Sequence, residues 1–313
     1  MNISVIIPVY NAEKYIVKAI ESCLQFSEVK EIIVVDDGYK DGAKELVREL
    51  SKKHQIIKLY EHPNNENKGA GPSRNLGIEK STSEYIAFLD ADDFFLPNRF
   101  IRDKQVFQEF SDAHGCYNAL GCYFYSEKAR KSFIEHFDST TTTVNSAVNP
   151  TPDNLLKGLL GLIPDFGYFS LDGLTVKKSF IIDNNIQFPS LSVHQDTVFI
   201  IKLAYYGKLY PSEIDNPVTL RGVHEENRIV ANYNLAKKKH FKRFEMWQLL
   251  YNWAKPINIG KKEFKLIKNQ KDFYKILSEE NSRTSDVILL AFSDFRVLLN
   301  PDYRKLIKEK FKM

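Results

Sequence analysis

The sequence predicts an α/β fold: a Rossmann-like, mostly parallel sheet flanked by helices, followed by a helical C-terminal extension. Two patterns support this prediction. Within the first 110 residues, β-branched runs alternate with segments whose apolar residues recur at helical spacing, which is typical of βαβ units. Residues 85–89 read YIAFL and are apolar throughout, as expected for a strand that is buried on both faces of a parallel sheet.

The first half of the chain is predicted to contain four strands joined by helices. Asn11 suits the N-cap of the first helix, and Pro97 suits the first position of the last one. The predicted strands are 3–9, 31–36, 56–61 and 85–90, and the predicted helices are 11–25, 40–53, 72–80 and 97–110.

The second half is less regular. Asp153 suits the cap of a short helix that ends near residue 160, and Gly207 suits the stop of a helix that begins at Asp196. The other predicted segments are an aromatic strand at 116–125, a polar surface loop at 139–152, a strand at 171–176 with a helix to 184, an extended segment at 209–222, and helices from about 233.

The composition is that of a folded protein, with 43% hydrophobic and 27% charged residues among 313. No stretch is long and apolar enough to span a bilayer, so the sequence predicts a protein that is not integral to a membrane. The three cysteines, Cys23, Cys116 and Cys122, lack metal-binding spacing. Their odd number, with no signal-peptide pattern at the start, favours reduced thiols and a cytoplasmic location.

Charge is distributed unevenly along the chain. Residues 231–313 hold 19 Lys and Arg against 9 Asp and Glu, whereas the preceding 230 hold 25 against 31. A basic tail on a mildly acidic body predicts peripheral contact with an anionic partner, such as the inner face of a membrane. An ordinary solvated helical face is the alternative interpretation.

Three carboxylates, Asp90, Asp92 and Asp93, follow the fourth predicted strand. Open α/β sheets bind ligands beyond the carboxyl ends of their strands, and closely spaced carboxylates suit a hard divalent cation that also binds phosphate oxygens. A solvated acidic turn before the next helix is the alternative interpretation.

Four segments of this kind lie at successive predicted strand ends: VIIPVYN (5–11), VDDGYKD (35–41), NKGAGPSRNLG (67–77) and LDADD (89–93). In this order and spacing they resemble the inverting GT-A glycosyltransferases of family 2, of the type that builds bacterial polysaccharide and lipopolysaccharide. The resemblance covers about the first 110 residues strongly and continues more weakly to about residue 228.

This resemblance implies a nucleotide pocket. Asp37 would accept the imide N–H of uracil and Asp36 would face the ribose or base, although an Asp-Asp-Gly turn that holds its own backbone is the competing interpretation. Pro8 and Tyr10 would line the base pocket. Tyr39 stands where the family commonly has Ser.

The resemblance also assigns the diphosphate contacts. Gly69 would allow close backbone approach, and Arg74 would pair with a phosphate or the base edge. A surface helix position is the alternative for Arg74. Asp92 would hold Mn²⁺ or Mg²⁺, with Asp90 assisting. His224, in the segment RGVHEENR (221–228), would be a further metal ligand or an acceptor contact, and an exposed loop His with neither role is the alternative.

The segment VHQDTVF (193–199) resembles the Glu-Asp-x-x-Phe segment of the family, in which the Asp is the catalytic base. This correspondence makes Asp196 the candidate base, while a plain helix N-cap is the competing role. Gln195 replaces the usual Glu.

The resemblance therefore implies a metal-dependent hexosyltransferase that moves a sugar from a UDP-sugar to a hydroxyl of a glycan or lipid-linked acceptor, with no nucleic acid partner. Its predicted parts are a nucleotide-sugar half (1–110), an acceptor half (111–231) and a basic helical extension (232–313). Two other functions stay open: a catalytically silent binding module on the same scaffold, and a sugar nucleotidyltransferase. The second would need a Gly-rich basic loop after the first strand, where this chain has PVYNAEKY.

Overall fold

The structure is a computed structural model of the chain that describes residues 1–38, 41–135, 143–144, 146–227, 236–279, 284–293 and 304–308. It divides into two compact units, Met1–Ala231 and Asn232–Met313. Tyr39, Arg228, the beginning of the predicted tail helix at 233, and residues 139–142 and 145 of the predicted loop at 139–152 lie outside the described residues.

Unit 1 is built around a sheet of seven strands in the order β3-β2-β1-β4-β8-β6-β9. The strands β1 to β4 are mutually parallel, and β8 is antiparallel to both β4 and β6. A second sheet has the order β5-β10-β7. The strands are Ile3–Val9, Val29–Asp36, Ile57–Glu61, Tyr85–Phe88, Phe94–Phe95, Gly115–Tyr117, Leu120–Phe124, Leu174–Lys177, Leu209–Pro211 and Thr219–Val223, numbered β1 to β10.

Helices cover both faces of the large sheet, which confirms the predicted α/β class. In unit 1 they are Ile16–Leu24, Ala43–Lys53, Ala70–Lys80, Ile101–Glu109, Glu127–Ile134, Pro152–Leu159, Lys178–Asp183 and Gln195–Tyr206, numbered α1 to α8. Every residue of β4 is buried, as its apolar sequence predicts, and every residue of β1 is buried as well.

Helix α3 lies directly on the sheet. A Cβ atom on Gly77 would lie 2.4 Å from the Ile6 side chain of β1, so only glycine permits this approach. The close contact brings the first turn of α3 to the edge of the sheet where β1, β2 and β4 end.

Three predicted helix starts are wrong. Asn11 is not an N-cap: it has a left-handed φ of 51°, which Asn tolerates, and α1 begins only at Ile16. Pro97 is not a first helical residue, because the Arg99 N–H donates to the Leu96 carbonyl in a turn that precedes α4.

The cap of α6 is Thr151 rather than Asp153. The Thr151 N–H donates to Asn154 Oδ1 at 2.8 Å, and Pro152 is the first helical residue.

The predicted strand at 116–125 is two strands, β6 and β7, in different sheets. Between them Asn118 donates to Asp103 Oδ1 and to the Gly173 carbonyl, at 2.9 and 2.8 Å. These buried hydrogen bonds turn the chain out of the first sheet.

Unit 2 is helical. Its helices are Ala236–Ala254, Lys261–Ser278 and Thr284–Ser293, numbered α9 to α11. Phe273, Ile276, Val287 and Leu290 form a small buried cluster between α10 and α11. No helix among the described residues is long and apolar enough to cross a membrane.

Candidate active site

The carboxylates that follow β4 lie in a tight turn at the carboxyl edge of the parallel strands. The Asp93 N–H donates to the Asp90 carbonyl at 3.1 Å, which closes the turn. The side chains of Asp90 and Asp92 are 43% and 27% exposed, whereas Asp93 is only 3% exposed. The turn therefore presents two accessible carboxylates and one buried carboxylate.

Asp93 points inward and holds the second sheet. Its Oδ1 accepts the Gly222 N–H at 2.8 Å, and a Cβ on Gly222 would lie 2.0 Å from the Asp92 carbonyl. Burial, together with the nearby carboxylates of Asp172, Asp92 and Asp90, raises the pKa of Asp93 well above its usual value.

Asp172 is a further carboxylate of this site. Carboxylate oxygens of Asp90, Asp93 and Asp172 all lie within 4.8 Å of one another. Burial and the charge of Asp90 raise the pKa of Asp172 to about 6, against the opposing effect of Arg221. Sequence reasoning missed this residue, because a single Asp after the mainly apolar segment YFSL (168–171) carries no motif.

Arg74 projects from α3 into the same cluster. Its Nη2 donates to Asp90 Oδ1 at 2.5 Å, while its buried Nε and Nη1 have no hydrogen-bond partner among the described residues. Burial lowers the pKa of Arg74, but the charges of Asp90, Asp196 and Asp172 outweigh burial and raise it. Arg74 is thus a buried site residue rather than a surface position, and its guanidinium has donors left for an anion.

Asp92 and His224 lie together, although they are distant in sequence. His224 Nε2 is 3.1 Å from Asp92 Oδ2, and Asn227 Nδ2 donates to the same oxygen at 3.3 Å. The His224 ring stacks on Tyr15 with centroids 4.5 Å apart, which fixes its orientation.

The two aspartates after β2 are both buried, and both bind backbone groups. Asp37 accepts the N–H groups of Lys68 and Gly69 at 2.8 to 3.0 Å, and Asp36 accepts the Gly38 N–H at 3.1 Å. Gly38 has a left-handed φ of 72°, and a Cβ there would lie 2.6 Å from the Asn65 carbonyl. These contacts with backbone N–H groups agree with the competing interpretation, in which the aspartates of an Asp-Asp-Gly turn hold the backbone. The nucleotide role of Asp37 stays a prediction.

His62 belongs to the same loop. Its Nε2 lies 2.9 Å from Ser73 Oγ and 3.8 Å from Asp37 Oδ1. Burial lowers the pKa of His62 despite the neighbouring carboxylate of Asp37.

The predicted pocket-lining residues differ in accessibility. Pro8 is buried within β1, whereas Tyr10 beyond its end is exposed. Gly69 precedes α3 with a φ of 88°, and a Cβ there would have no atom within 4 Å. Open space therefore borders the first turn of α3.

Asp196 lies in the first turn of α8, but it is not the N-cap. His194 occupies the cap position with a left-handed φ of 63°, and Asp196 is the second helical residue. The plain-cap alternative for Asp196 is therefore wrong. Its Oδ1 accepts the Thr197 N–H at 2.8 Å, and its charge contributes to the raised pKa of Arg74.

Helix α3 carries the contacts that bring the two halves of unit 1 together. Asn75 Nδ2 donates to the Phe188 carbonyl and Asn75 Oδ1 accepts the Phe188 N–H, both at 2.9 Å. A Cβ on Gly71 would lie 2.6 Å from the Pro189 carbonyl and 3.4 Å from the Gln195 side chain. Positions 71, 74 and 75 lie on one face of the helix, a spacing that could have identified Asn75 from the sequence.

A divalent cation suits these donors. Carboxylate oxygens and one imidazole form the donor set, and the unpartnered Nε and Nη1 of Arg74 are suited to the anion that such a cation accompanies. Asp92 and His224 would hold the ion in the predicted assignment, whereas the carboxylate oxygens of Asp90 lie within 4.8 Å of those of the more deeply buried Asp93 and Asp172.

Comparison with known families identifies the N-terminal part. Residues 4–142 match the family described as "Glycosyl transferase family 2". The match covers 139 of the 313 residues, which is less than half of the chain.

Curated relatives are similar to parts of the chain. A Haemophilus influenzae uncharacterized glycosyltransferase is 44% identical over 105 residues, or 33% of this chain and 40% of the relative. An uncharacterized glycosyltransferase of Rickettsia bellii is 40% identical over 121 residues, or 38% of this chain and 17% of the relative. The chain thus spans less than half the length of these two relatives. The Bacillus subtilis minor teichoic acid biosynthesis protein GgaA is 24% identical over 98% of this chain and 70% of its own length.

Solved structures show the same fold. The S. aureus TarS 1–349 complex with UDP-GlcNAc aligns with a TM-score of 0.63 at 19% identity, over 88% of this chain and 73% of that one. The Pyrobaculum calidifontis mannosyltransferase PcManGT, with GDP-Man and Mn²⁺, aligns with a TM-score of 0.52 at 16% identity, over 99% and 79%. The chain therefore has the GT-A fold that the sequence predicts.

Proposed function

We propose that the chain is a metal-dependent inverting glycosyltransferase that moves a sugar from a UDP-sugar to a hydroxyl of a glycan or lipid-linked acceptor. One observation carries the proposal: α3 places Arg74 Nη2 at 2.5 Å from Asp90 Oδ1, and the same helix packs through Gly71 against Pro189 and Gln195, the residue before Asp196. A candidate donor-site residue and the candidate base therefore share one site. The UDP-GlcNAc bound to TarS supports the choice of donor class.

In this proposal the residues of the first half bind and orient the donor. Asp37, Asp36, Pro8 and Tyr10 face the nucleotide, and Gly69 with Arg74 faces the diphosphate. Arg74 suits this role because its guanidinium retains unpartnered N–H donors in a buried position. Asp92 and His224 would hold Mn²⁺ or Mg²⁺, which supplies charge neutralisation for the departing UDP.

Asp196 is the proposed general base. It accepts the proton of the acceptor hydroxyl, the oxygen forms a bond to the anomeric carbon, and the bond from that carbon to the diphosphate oxygen breaks with inversion. At the N-terminal end of α8, the Thr197 N–H donates to Asp196 Oδ1 and fixes the orientation of the carboxylate.

A panel of single nucleotide sugars tests this function. Purified protein with Mn²⁺ and one UDP-sugar at a time should release UDP with one or a few donors, and chelation of the cation should stop the release. GDP-mannose serves as the comparison, since PcManGT was solved with it. Release of UDP from no sugar, with tight UDP binding, would favour a silent binding module instead. Formation of a nucleotide sugar from UTP and a sugar phosphate would favour a nucleotidyltransferase.

We also propose that unit 2 contacts an anionic membrane surface, where lipid-linked acceptors lie. The net charge of +10 over residues 231–313 supports this role. In sedimentation with vesicles, binding should rise with the fraction of anionic lipid and fall with salt. Sedimentation that does not depend on anionic lipid would contradict the role.

A further inference from the structure

The turn that carries Asp90, Asp92 and Asp93 rests on the side chain of Asp172. The Asp90 N–H donates to Asp172 Oδ1 at 2.8 Å, and Ser170 Oγ donates to Asp172 Oδ2 at 3.1 Å. Both carboxylate oxygens of Asp172 therefore accept from the protein, and the residue is only 1% exposed.

Three buried side chains fix the backbone on which Asp172 lies. Thr219 Oγ1 donates to the Asp172 carbonyl at 2.9 Å, Asn118 Nδ2 to the Gly173 carbonyl at 2.8 Å, and Arg99 Nη2 to the Leu174 carbonyl at 3.0 Å. A Cβ on Gly173 would lie 2.6 Å from the Asn118 carbonyl. This backbone cannot shift without breaking buried hydrogen bonds, so Asp172 presents its carboxylate in one place.

Asp172 also links the two guanidinium groups of the site. Arg221 Nη2 donates to Ser170 Oγ at 3.3 Å, and the same hydroxyl donates to Asp172. Arg74 contacts Asp90, whose backbone Asp172 holds. The positions of the Arg74 and Arg221 guanidinium groups thus both depend on the Asp172 carboxylate.

Two roles are compatible with this placement: Asp172 could bind a cation itself, or it could position the residues that do. Accessibility decides between them. A hard cation that keeps waters and takes phosphate oxygens needs open carboxylates, and Asp90 and Asp92 are 43% and 27% exposed. Asp172 is enclosed and already accepts hydrogen bonds on both oxygens.

We propose that Asp172 is a positioning residue of the donor site, which fixes the Asp90–Asp93 turn through its hydrogen bond to the Asp90 N–H and does not itself bind the cation. This inference deepens the proposed function and rests on it. It assigns a role to a residue in the second half of unit 1 that precedes β8.

Binding of Mn²⁺ alone, followed by electron paramagnetic resonance, tests the inference on the full chain. Asp172→Asn keeps an oxygen acceptor for the Asp90 N–H, and the Ser170 hydroxyl can rotate to accept from the new amide. Its Mn²⁺ affinity should stay within about threefold of wild type. Asp172→Ala removes the acceptor and should weaken Mn²⁺ by about 10- to 100-fold, the usual scale for loss of an outer partner of a metal site. Asp183→Asn, at an exposed position on α7, is the matched control and should bind as wild type.

Two patterns would overturn the inference. If Asp172→Asn loses as much affinity as Asp172→Ala, the residue is a ligand. If a folded Asp172→Ala variant binds Mn²⁺ as wild type does, the residue serves only stability. Should the alanine variant fail to fold, Thr219→Val removes the hydroxyl that anchors the Asp172 carbonyl. An affinity about threefold or more below wild type is expected for Thr219→Val, and an unchanged affinity would overturn the inference.

The same measurement separates this inference from the proposed function. A wild type that binds Mn²⁺ with the expected variant pattern, but releases no UDP, would contradict the glycosyl transfer and support the positioning role. If the wild type transfers sugar but Asp172→Asn loses as much Mn²⁺ affinity as Asp172→Ala, the result would support the glycosyl transfer and contradict the positioning role. A wild type that binds no Mn²⁺, even with UDP present, would overturn both.

Discussion

The two halves of unit 1 hold their site residues in different ways. In the first half, Asp36, Asp37 and Asp90 lie at or just beyond the carboxyl ends of parallel strands, and backbone N–H groups of nearby loops fix the first two. In the second half, Asp172 and Arg221 belong to short elements whose positions depend on buried side chains from elsewhere in the chain.

This difference has a physical origin. The carboxyl ends of neighbouring parallel strands meet at one edge, so the backbone of the sheet alone brings their residues together. Strands of three to five residues, such as β6 and β10, contribute few ladder hydrogen bonds, and a polar network must hold them. Substitutions of site residues in the first half should therefore change the chemistry of the site. Substitutions in the second half should change its geometry.

The largest expected effect is at Asp196. Asp196→Asn removes the proposed base while His194 remains the N-cap, so the helix should persist. Transfer to the acceptor should fall by about 100-fold or more, the usual scale for a lost general base. Donor affinity should change little, as measured by calorimetry with UDP.

Asp183→Asn serves as the control for the Asp196 variant and should transfer sugar as wild type does. A stable Asp196→Asn variant with full activity would remove Asp196 from the mechanism and leave the site with a donor pocket alone.

The next effect concerns Asp92 and His224, which come from different halves but approach to 3.1 Å. If they hold one cation, Asp92→Asn and His224→Gln should each weaken Mn²⁺-dependent UDP binding by about tenfold or more, or roughly 1.4 kcal/mol. Binding of UDP without Mn²⁺ should change less. Calorimetry with and without the cation measures both.

Glu225→Gln, one residue after His224 in the same loop, is the matched control for this pair. A variant of Asp92 that keeps the whole Mn²⁺-dependent gain would exclude Asp92 from the cation site. Loss in Asp92→Asn alone would assign His224 to orientation of the loop.

The same contrast explains what could be predicted from the sequence. Four strands, their order and the residues at their ends follow from local patterns, so Asp90, Asp92 and Arg74 could be placed near one site in advance. The burial of Arg74 could not, since α3 carries small residues and its depth depends on the contact of Gly77 with Ile6.

Prediction fails where tertiary contacts override local chemistry. Asn11, Pro97 and Asp153 have the local features of helix starts, yet turns and a neighbouring Thr determine where those helices begin. Asp172 stayed undetected because its role depends on Asn118 and Thr219, which are about 50 residues away in the chain.

A smaller effect is expected where the halves touch. A Cβ in Gly71→Ala would meet the Pro189 carbonyl at 2.6 Å, and backbone there cannot move as freely as a side chain. The variant should lose about 1–3 kcal/mol of stability and displace the segment that leads into α8. Thermal melts and transfer rates measure the two losses.

Glu79→Ala, on the exposed side of the same helix, is the control for Gly71→Ala. If Gly71→Ala melts with wild type and transfers sugar at the same rate, the contact between α3 and the Pro189 segment does not set the geometry of the site.

The smallest effect should come from His62, which lies beside Asp37 and Ser73 in the first half. Burial lowers the pKa of His62 in the folded protein, so the unfolded chain binds the proton more readily. The stability that this residue contributes is therefore present above its unfolded pKa of about 6.5 and is lost as pH falls through the lower folded value. Thermal melts at pH 7.5 and 5.5 should show a smaller decrease for His62→Gln than for wild type, because Gln offers an amide to Ser73 without titrating. His54→Gln, at an exposed position after α2, should keep the wild-type decrease. An equal decrease in melting temperature in all three proteins would assign the acid sensitivity to carboxylates elsewhere in the protein and not to His62.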